Sequence, residues 1–185
     1  MSGRGCSSWM GPWLLNPLRR WTVEPDKLLG PYVQEGMTVL EPGPGMGFFT
    51  LPLARLVGPN GRVIAVDIQV KMIEKLRKRA QRAGLAERIE LRLAGRDLLG
   101  IVDLHRRVDF VLAFAVVHEV ASAERFFREV AGVLRPRASM LLVEPSVHVP
   151  RNKFAIELEA ARAAGLEVAA SPVIGGNHAA LLRRI

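Results

Sequence analysis

The sequence predicts an α/β fold with a mostly parallel sheet, on three observations. From residue 37 onward, short apolar runs alternate with segments of helical period. Residues 108–117 (VDFVLAFAVV) form a near-continuous apolar run, which suits a central strand covered on both faces. The first apolar run ends at a Gly-Pro cluster that opens a helix, as in the turns of open parallel sheets. The crossovers joining such strands are right-handed.

The elements follow in order. Residues 1–35 carry no clear period and hold all three tryptophans, Trp9, Trp13 and Trp21. Residues 37–41 (MTVLE) read as the first strand and residues 47–56 as a helix. Residues 62–67 (RVIAVD) are a second buried-type strand, with Val63, Ile64 and Val66 inside. Residues 70–83 form an amphipathic helix with Met72, Ile73 and Leu76 on one face, stopped by Gly84. Residues 89–93 alternate apolar and charged, as a third strand does. Residues 98–107 are a loop or short helix, and 108–117 the fourth strand. Residues 122–134 place Phe126, Phe127, Val130 and Leu134 at helical spacing, with Pro136 as the stop. Residues 140–143 are the fifth strand, residues 153–164 a helix closed by Gly165, and residues 166–170 and 179–182 the last two strands.

Composition bounds the function. A chain of 185 residues supports one sizeable core, and 49% apolar with 24% charged residues is globular rather than disordered. The sequence has no unbroken apolar run of transmembrane length. The net charge of +8 admits a phosphate-rich partner. However, its densest cluster (Lys71, Lys75, Arg77, Lys78, Arg79, Arg82) lies on one amphipathic helix, where charges usually make a solvated face. Cys6 is the single cysteine, so a disulfide or cysteine metal framework within the chain is excluded, which fits a reducing compartment. The apolar stretch around Trp9, Met10, Trp13, Leu14 and Leu15 is interrupted by Gly11, Pro12 and Asn16, unlike a secretory signal. The expectation is a cytoplasmic protein without stable membrane insertion.

The informative motif is Glu41-Pro42-Gly43-Pro44-Gly45-Met46-Gly47, between the first strand and its helix. Glycines there let the backbone turn sharply and approach a ligand with no Cβ in the way. Dinucleotide binders use G-x-G-x-x-G at this turn. Here the spacing is Gly43-x-Gly45-x-Gly47, and Phe48 stands where their third glycine would be. A carboxylate at Glu41 repels a pyrophosphate, but accepts readily from an ammonium group.

On these residues the chain resembles the class I S-adenosylmethionine-dependent methyltransferases, whose first motif is E/D-x-G-x-G-x-G. The resemblance implies a Rossmann-like three-layer sandwich with strand order 3-2-1-4-5-7-6 and the seventh strand antiparallel. It implies S-adenosylmethionine as cofactor, with Glu41, Gly43, Gly45 and Gly47 around its methionine part. Asp67, ending the second strand, matches the acidic residue that accepts from both ribose hydroxyls. Ile68 would line the adenine, Gly95 and Asp97 stand near the family's Gly-Asp pair, and Phe114 ends the fourth strand beside the cofactor. Residues 36–185 would be the methyltransferase domain, and residues 1–35 a tether or a lid.

After the fourth strand comes Phe114-Ala-Val-Val-His118-Glu119, without the Asn/Asp-Pro-Pro-Tyr/Phe sequence of many methyltransferases that act on nucleobase or glutamine nitrogens. The arrangement is closer to the small-molecule enzymes, with in-line displacement at the sulfonium methyl. His118 is the candidate base, since its pKa lies near working pH. A loop-capping histidine is the plainer alternative. His148 and His178 have no partner at metal-ligand spacing, so no metal site is expected. Arsenic methylation in related folds needs several cysteines, and this chain has one. Two other classes remain: a nucleic-acid or protein methyltransferase, and a nicotinamide-dependent oxidoreductase or non-catalytic nucleotide binder. Nucleic acid is disfavoured as partner, and a homodimer completing the substrate pocket is compatible with the short chain.

Overall fold

The computed structural model describes residues 23–95 and 97–185. The expectations placed on Cys6, Trp9, Trp13 and Trp21 lie outside these residues. Among the described residues the strands are β1 (Thr38–Pro42), β2 (Arg62–Asp67), β3 (Ile89–Leu93), β4 (Val108–Phe114), β5 (Leu134–Glu144), β6 (Leu166–Ala170) and β7 (His178–Arg184). The α-helices are α1 (Pro25–Leu29), α2 (Thr50–Leu56), α3 (Val70–Arg82), α4 (Ala123–Val133) and α5 (Arg151–Ala163). The strands form one sheet in the order β3-β2-β1-β4-β5-β7-β6. β1 to β5 pair in parallel, and β7 runs antiparallel between β5 and β6. This is the strand order expected above.

The sheet is covered on both sides because its central strands bury apolar residues on both faces. In β4, Val108, Val111 and Ala113 enter one core, while Phe110, Leu112 and Phe114 enter the other. The first core packs under α4 and α5 through Phe127, Val130 and Ala161. The second packs under α1 and α2 through Leu29, Leu53 and Ala54. Burying such faces supplies the main driving force, at roughly 25 cal/mol per Å² of apolar surface. α3 buries Met72, Ile73, Leu76 and Ala80, as its period requires.

Several boundaries differ from expectation, each for a local reason. Residues 47–49 belong to a turn, so α2 starts at Thr50 rather than residue 47. β4 stops at Phe114, because Ala115 takes a left-handed conformation (φ 57°) and Val117–Glu119 form a 3₁₀ turn. The apolar residues 115–117 therefore leave the sheet. β5 begins at Leu134 and runs through Pro136, with the pairing to β4 shifting register between Val108 and Phe110 and Arg137 at φ 67°. α4 ends at Val133, ahead of Pro136 as expected, and the proline itself falls in an irregular stretch of β5 that needs no N–H from it. α1 was not expected in the aperiodic N-terminal segment. It is one turn long with Pro25 at its start, and Tyr32 just after it stacks on Phe110 with centroids 5.7 Å apart.

Phe127 is fully buried between α4 and the sheet. Phe127→Ala is expected to lower unfolding free energy by about 3–5 kcal/mol in urea titration, from lost apolar transfer plus cavity.

Candidate active site

Parallel strands end at one edge of the sheet, and four side chains of interest gather along it. Glu41 lies in β1, Asp67 ends β2, His118 follows β4 and Glu144 ends β5. All three carboxylates are buried, at 3%, 7% and 0% exposure. Among the described residues, neither Glu41 nor Asp67 is paired with a lysine or arginine.

The turn after β1 is shaped by its glycines. Gly43, Gly45 and Gly47 all sit at positive φ (68°, 55° and 85°). A Cβ on Gly43 would stand 2.8 Å from Val116 Cγ2, and one on Gly47 would stand 2.4 Å from Leu76 Cδ1. The glycines are thus required by backbone conformation and by close packing against the turn after β4 and against α3. Gly43 donates to the Val66 carbonyl at 2.8 Å, which ties the turn to β2. Arg79 of α3 donates to the Met46 carbonyl, so one residue of the basic helix is turned inward. Lys71, Lys75, Arg77, Lys78 and Arg82 are exposed, as expected of a solvated face.

Glu41 accepts a 2.6 Å hydrogen bond from the Thr50 hydroxyl at the start of α2. Burial pushes its pKa up to about 8; the Thr50 bond works against this and the nearby Asp67 charge adds to it. Asp67 accepts from the Gln69 N–H at 2.8 Å. Its pKa is raised chiefly by burial and further by the charge of Glu119, while N–H groups of Gln69, Gly45 and Ile68 oppose the rise.

His118 is held by Glu144. The Nδ1 atom hydrogen-bonds Glu144 Oε2, and Glu144 Oε1 accepts from the Val116 and Val117 N–H groups at 3.2 and 2.8 Å. The carboxylate thus replaces the ladder partners that residues 116 and 117 lost by leaving the sheet. Nε2 of His118 faces Glu119 Oε1 at 3.9 Å. The Glu144 hydrogen bond is the main cause that raises the His118 pKa. A histidine oriented at one nitrogen by a buried carboxylate has the form of a general base.

The other expected site residues spread unevenly. Ile68 is 53% exposed beside Asp67, where it can cover a flat ligand. Gly95 donates to the Leu98 carbonyl at 3.0 Å, and Ala94 donates to the Asp67 carbonyl at 2.9 Å, so the exit of β3 is tied to the same edge. Asp97 is exposed there. Phe114 turns its ring into the core against Phe49, with centroids 4.6 Å apart. Thr50 and Glu144 were not singled out as site residues, and Arg79 was expected only on the solvated face. A threonine opening a helix three residues past the last glycine was the available signal for Thr50.

The donor set fits a cationic, hydroxyl-bearing nucleoside ligand. Two buried carboxylates lie without cationic partners among the described residues, and a turn with three glycines at positive φ follows the strand that carries Glu41. Among the described residues no group of three His, Cys, Asp or Glu side chains is placed to hold a metal ion.

Known proteins are similar to this chain in sequence and in fold. A family model described as a methyltransferase domain matches residues 33–170. The arsenite methyltransferase of Halobacterium salinarum is 38% identical over 101 residues, covering 55% of this chain and 25% of that protein. The ubiquinone/menaquinone biosynthesis C-methyltransferase of Pseudomonas putida is 33% identical over 136 residues, covering 74% of this chain and 50% of that protein. The chain thus spans between a quarter and half the length of these relatives. A SAM-dependent methyltransferase from Aquifex aeolicus has the same fold, with TM-score 0.86 at 24% identity over 98% of this chain and 100% of that one.

Burial of Glu41 has a measurable consequence. Its pKa is 4.5 in the ordinary state and about 8 when folded, so the folded protein binds more protons across that window. Stability is therefore greatest below the window and falls as pH rises through it. The melting temperature of the ligand-free protein is expected to be higher at about pH 5.5 than at about pH 8, and Glu41→Gln should flatten that slope.

Proposed function

This chain belongs to the class I S-adenosylmethionine-dependent methyltransferases, and from that premise we propose that it methylates a small-molecule acceptor that loses a proton to His118. Bound S-adenosylmethionine supplies a methyl group on a sulfonium. Glu41 and the turn through Gly43, Gly45 and Gly47 would hold its methionine part, with Glu41 ionising beside the ammonium. Asp67 would accept from the ribose hydroxyls, and Ile68 would cover the adenine, with Gly95 and Asp97 near its edge. Phe114 would support this surface from beneath through Phe49.

The observation that carries the acceptor reading is the Glu144–His118 pair. Glu144 is fully buried and fixes the imidazole, leaving Nε2 to take a proton from a hydroxyl or an acidic carbon. The base is worth building when the nucleophile must be generated on the protein. An acceptor with a free lone pair needs only positioning and exclusion of water. The names of the curated relatives, an arsenite methyltransferase and a ubiquinone/menaquinone C-methyltransferase, support a small-molecule acceptor. Of these two chemistries, methyl transfer to carbon, which requires loss of a proton, suits His118 better than arsenite suits a chain with one cysteine. The exposed basic row on α3 favours a nucleic-acid acceptor as second reading.

The two readings separate on one experiment. Methyl-labelled S-adenosylmethionine is incubated with the protein and a fractionated cell extract. Label is expected in the small-molecule fraction. Label only in RNA or protein precipitates would overturn the proposal. His118→Asn should lower the small-molecule signal about 10²-fold or more while S-adenosylhomocysteine binding stays within a factor of about two.

A further inference from the structure

α5 presents Phe154, Glu157, Ala160 and Ala161 to the interior, at the spacing of one helix face. Three of these are apolar and join the core under the sheet. Glu157 is the exception. It is 3% exposed, and both its carboxyl oxygens are buried without a hydrogen-bond partner. Leaving a buried polar group in this state is costly, and an apolar residue of similar size would remove the cost.

Its surroundings give the cost a use. Glu157 lies close enough to Glu144 and His118 to respond to their charges. Glu144 stands opposite His178 in the β5–β7 register. Phe154, one turn before Glu157, stacks on His178 with centroids 5.3 Å apart. His148 stacks on His118 at 6.2 Å. Three of the chain's four histidines and two buried glutamates therefore gather at one end of the sheet. Among the described residues they do not form a metal site.

We propose that Glu157 is a positioning residue of this centre, whose buried charge near Glu144 sets the basicity of His118. The inference rests on the reading of His118 as the base. The groups that act on the pair are Glu119 from the turn after β4, Glu144 from β5 and Lys153 from α5, with His148 and His178 stacked beside them. Burial first, and the Glu144 charge second, push Glu157 up to about 7, while Lys153 and protonated His118 favour its ionised form. Coupling between two sites is reciprocal, so ionised Glu157 holds the proton on His118 more tightly. The two groups then titrate as a coupled pair across neutral pH. Above neutral pH Glu157 is charged and strengthens the base; below it Glu157 is neutral and the base weakens.

The test is an NMR titration of the His118 ring in ligand-free protein, with the resonance assigned by its loss in His118→Asn. Glu157→Gln keeps the size and removes the charge. It should move the His118 midpoint to lower pH by about half a unit or more, the size of a Coulomb term in a protein interior. Glu159→Gln, an exposed neighbour on α5, should leave it in place. An unmoved midpoint in Glu157→Gln, with a moved one in Glu144→Gln, would overturn the proposal and leave the His118 reading standing. Normal coupling with full methyl transfer in His118→Asn would sink the catalytic reading instead. Should Glu157→Gln fail to fold, the carboxyl carbon of Glu157 in the wild-type protein supplies the answer. A midpoint near neutrality that tracks His118 supports the proposal, and one at the ordinary glutamate value contradicts it.

Discussion

Burial of the central strands on both faces is the constraint from which the site follows. β1, β2, β4 and β5 are apolar on both sides, so their carboxyl ends emerge together at one edge, still shielded by α2 and α4. A carboxylate at such an end keeps little water. Glu41, Asp67 and Glu144 are each at or below 7% exposure, and each is supported by donors from a neighbouring turn. Such groups are costly when alone and bind strongly when a cation or donor arrives. The sheet thus gathers buried carboxyl groups at one edge of a chain whose net charge is +8.

The turns complete what the strands begin. Gly43 and Gly47 pack without Cβ atoms against Val116 and Leu76, and this closes the first turn onto both the second crossover and the turn after β4. The same turn after β4 carries His118, whose position depends on Glu144 taking the N–H groups of residues 116 and 117. The proposed cofactor residues and the candidate base are therefore not independent insertions. They share Val116 as a contact and Asp67 with Glu119 as an electrostatic link. A change in the length of either turn would disturb both.

Much of this was legible in the sequence. The alternation of apolar runs marked the α/β class, and the motif from Glu41 to Gly47 with Asp67 marked the strand-end edge where buried carboxylates gather. The rest was hidden for physical reasons. Residues 115–117 are as apolar as the strand before them, so hydrophobicity alone could not show that Ala115 turns left-handed. Pro136 marks the end of the helix before it, but its irregular, charged surroundings hid that β5 already begins at Leu134. Glu144 and Glu157 look like ordinary charges, since burial is a tertiary property. The spacing of Phe154, Glu157 and Ala161 on one helix face was the signal that Glu157 points inward.

The central claim is that buried carboxylates at the strand ends hold a cationic nucleoside ligand. The most direct measurement is calorimetric titration with S-adenosylmethionine and S-adenosylhomocysteine at about pH 7, in two buffers of different ionisation enthalpy. The account predicts binding that Glu41→Gln and Asp67→Asn each weaken about tenfold or more, with proton release on binding that disappears in Glu41→Gln. Equal affinity in the wild type and both folded variants, or binding with no proton exchange in the wild type, would contradict it.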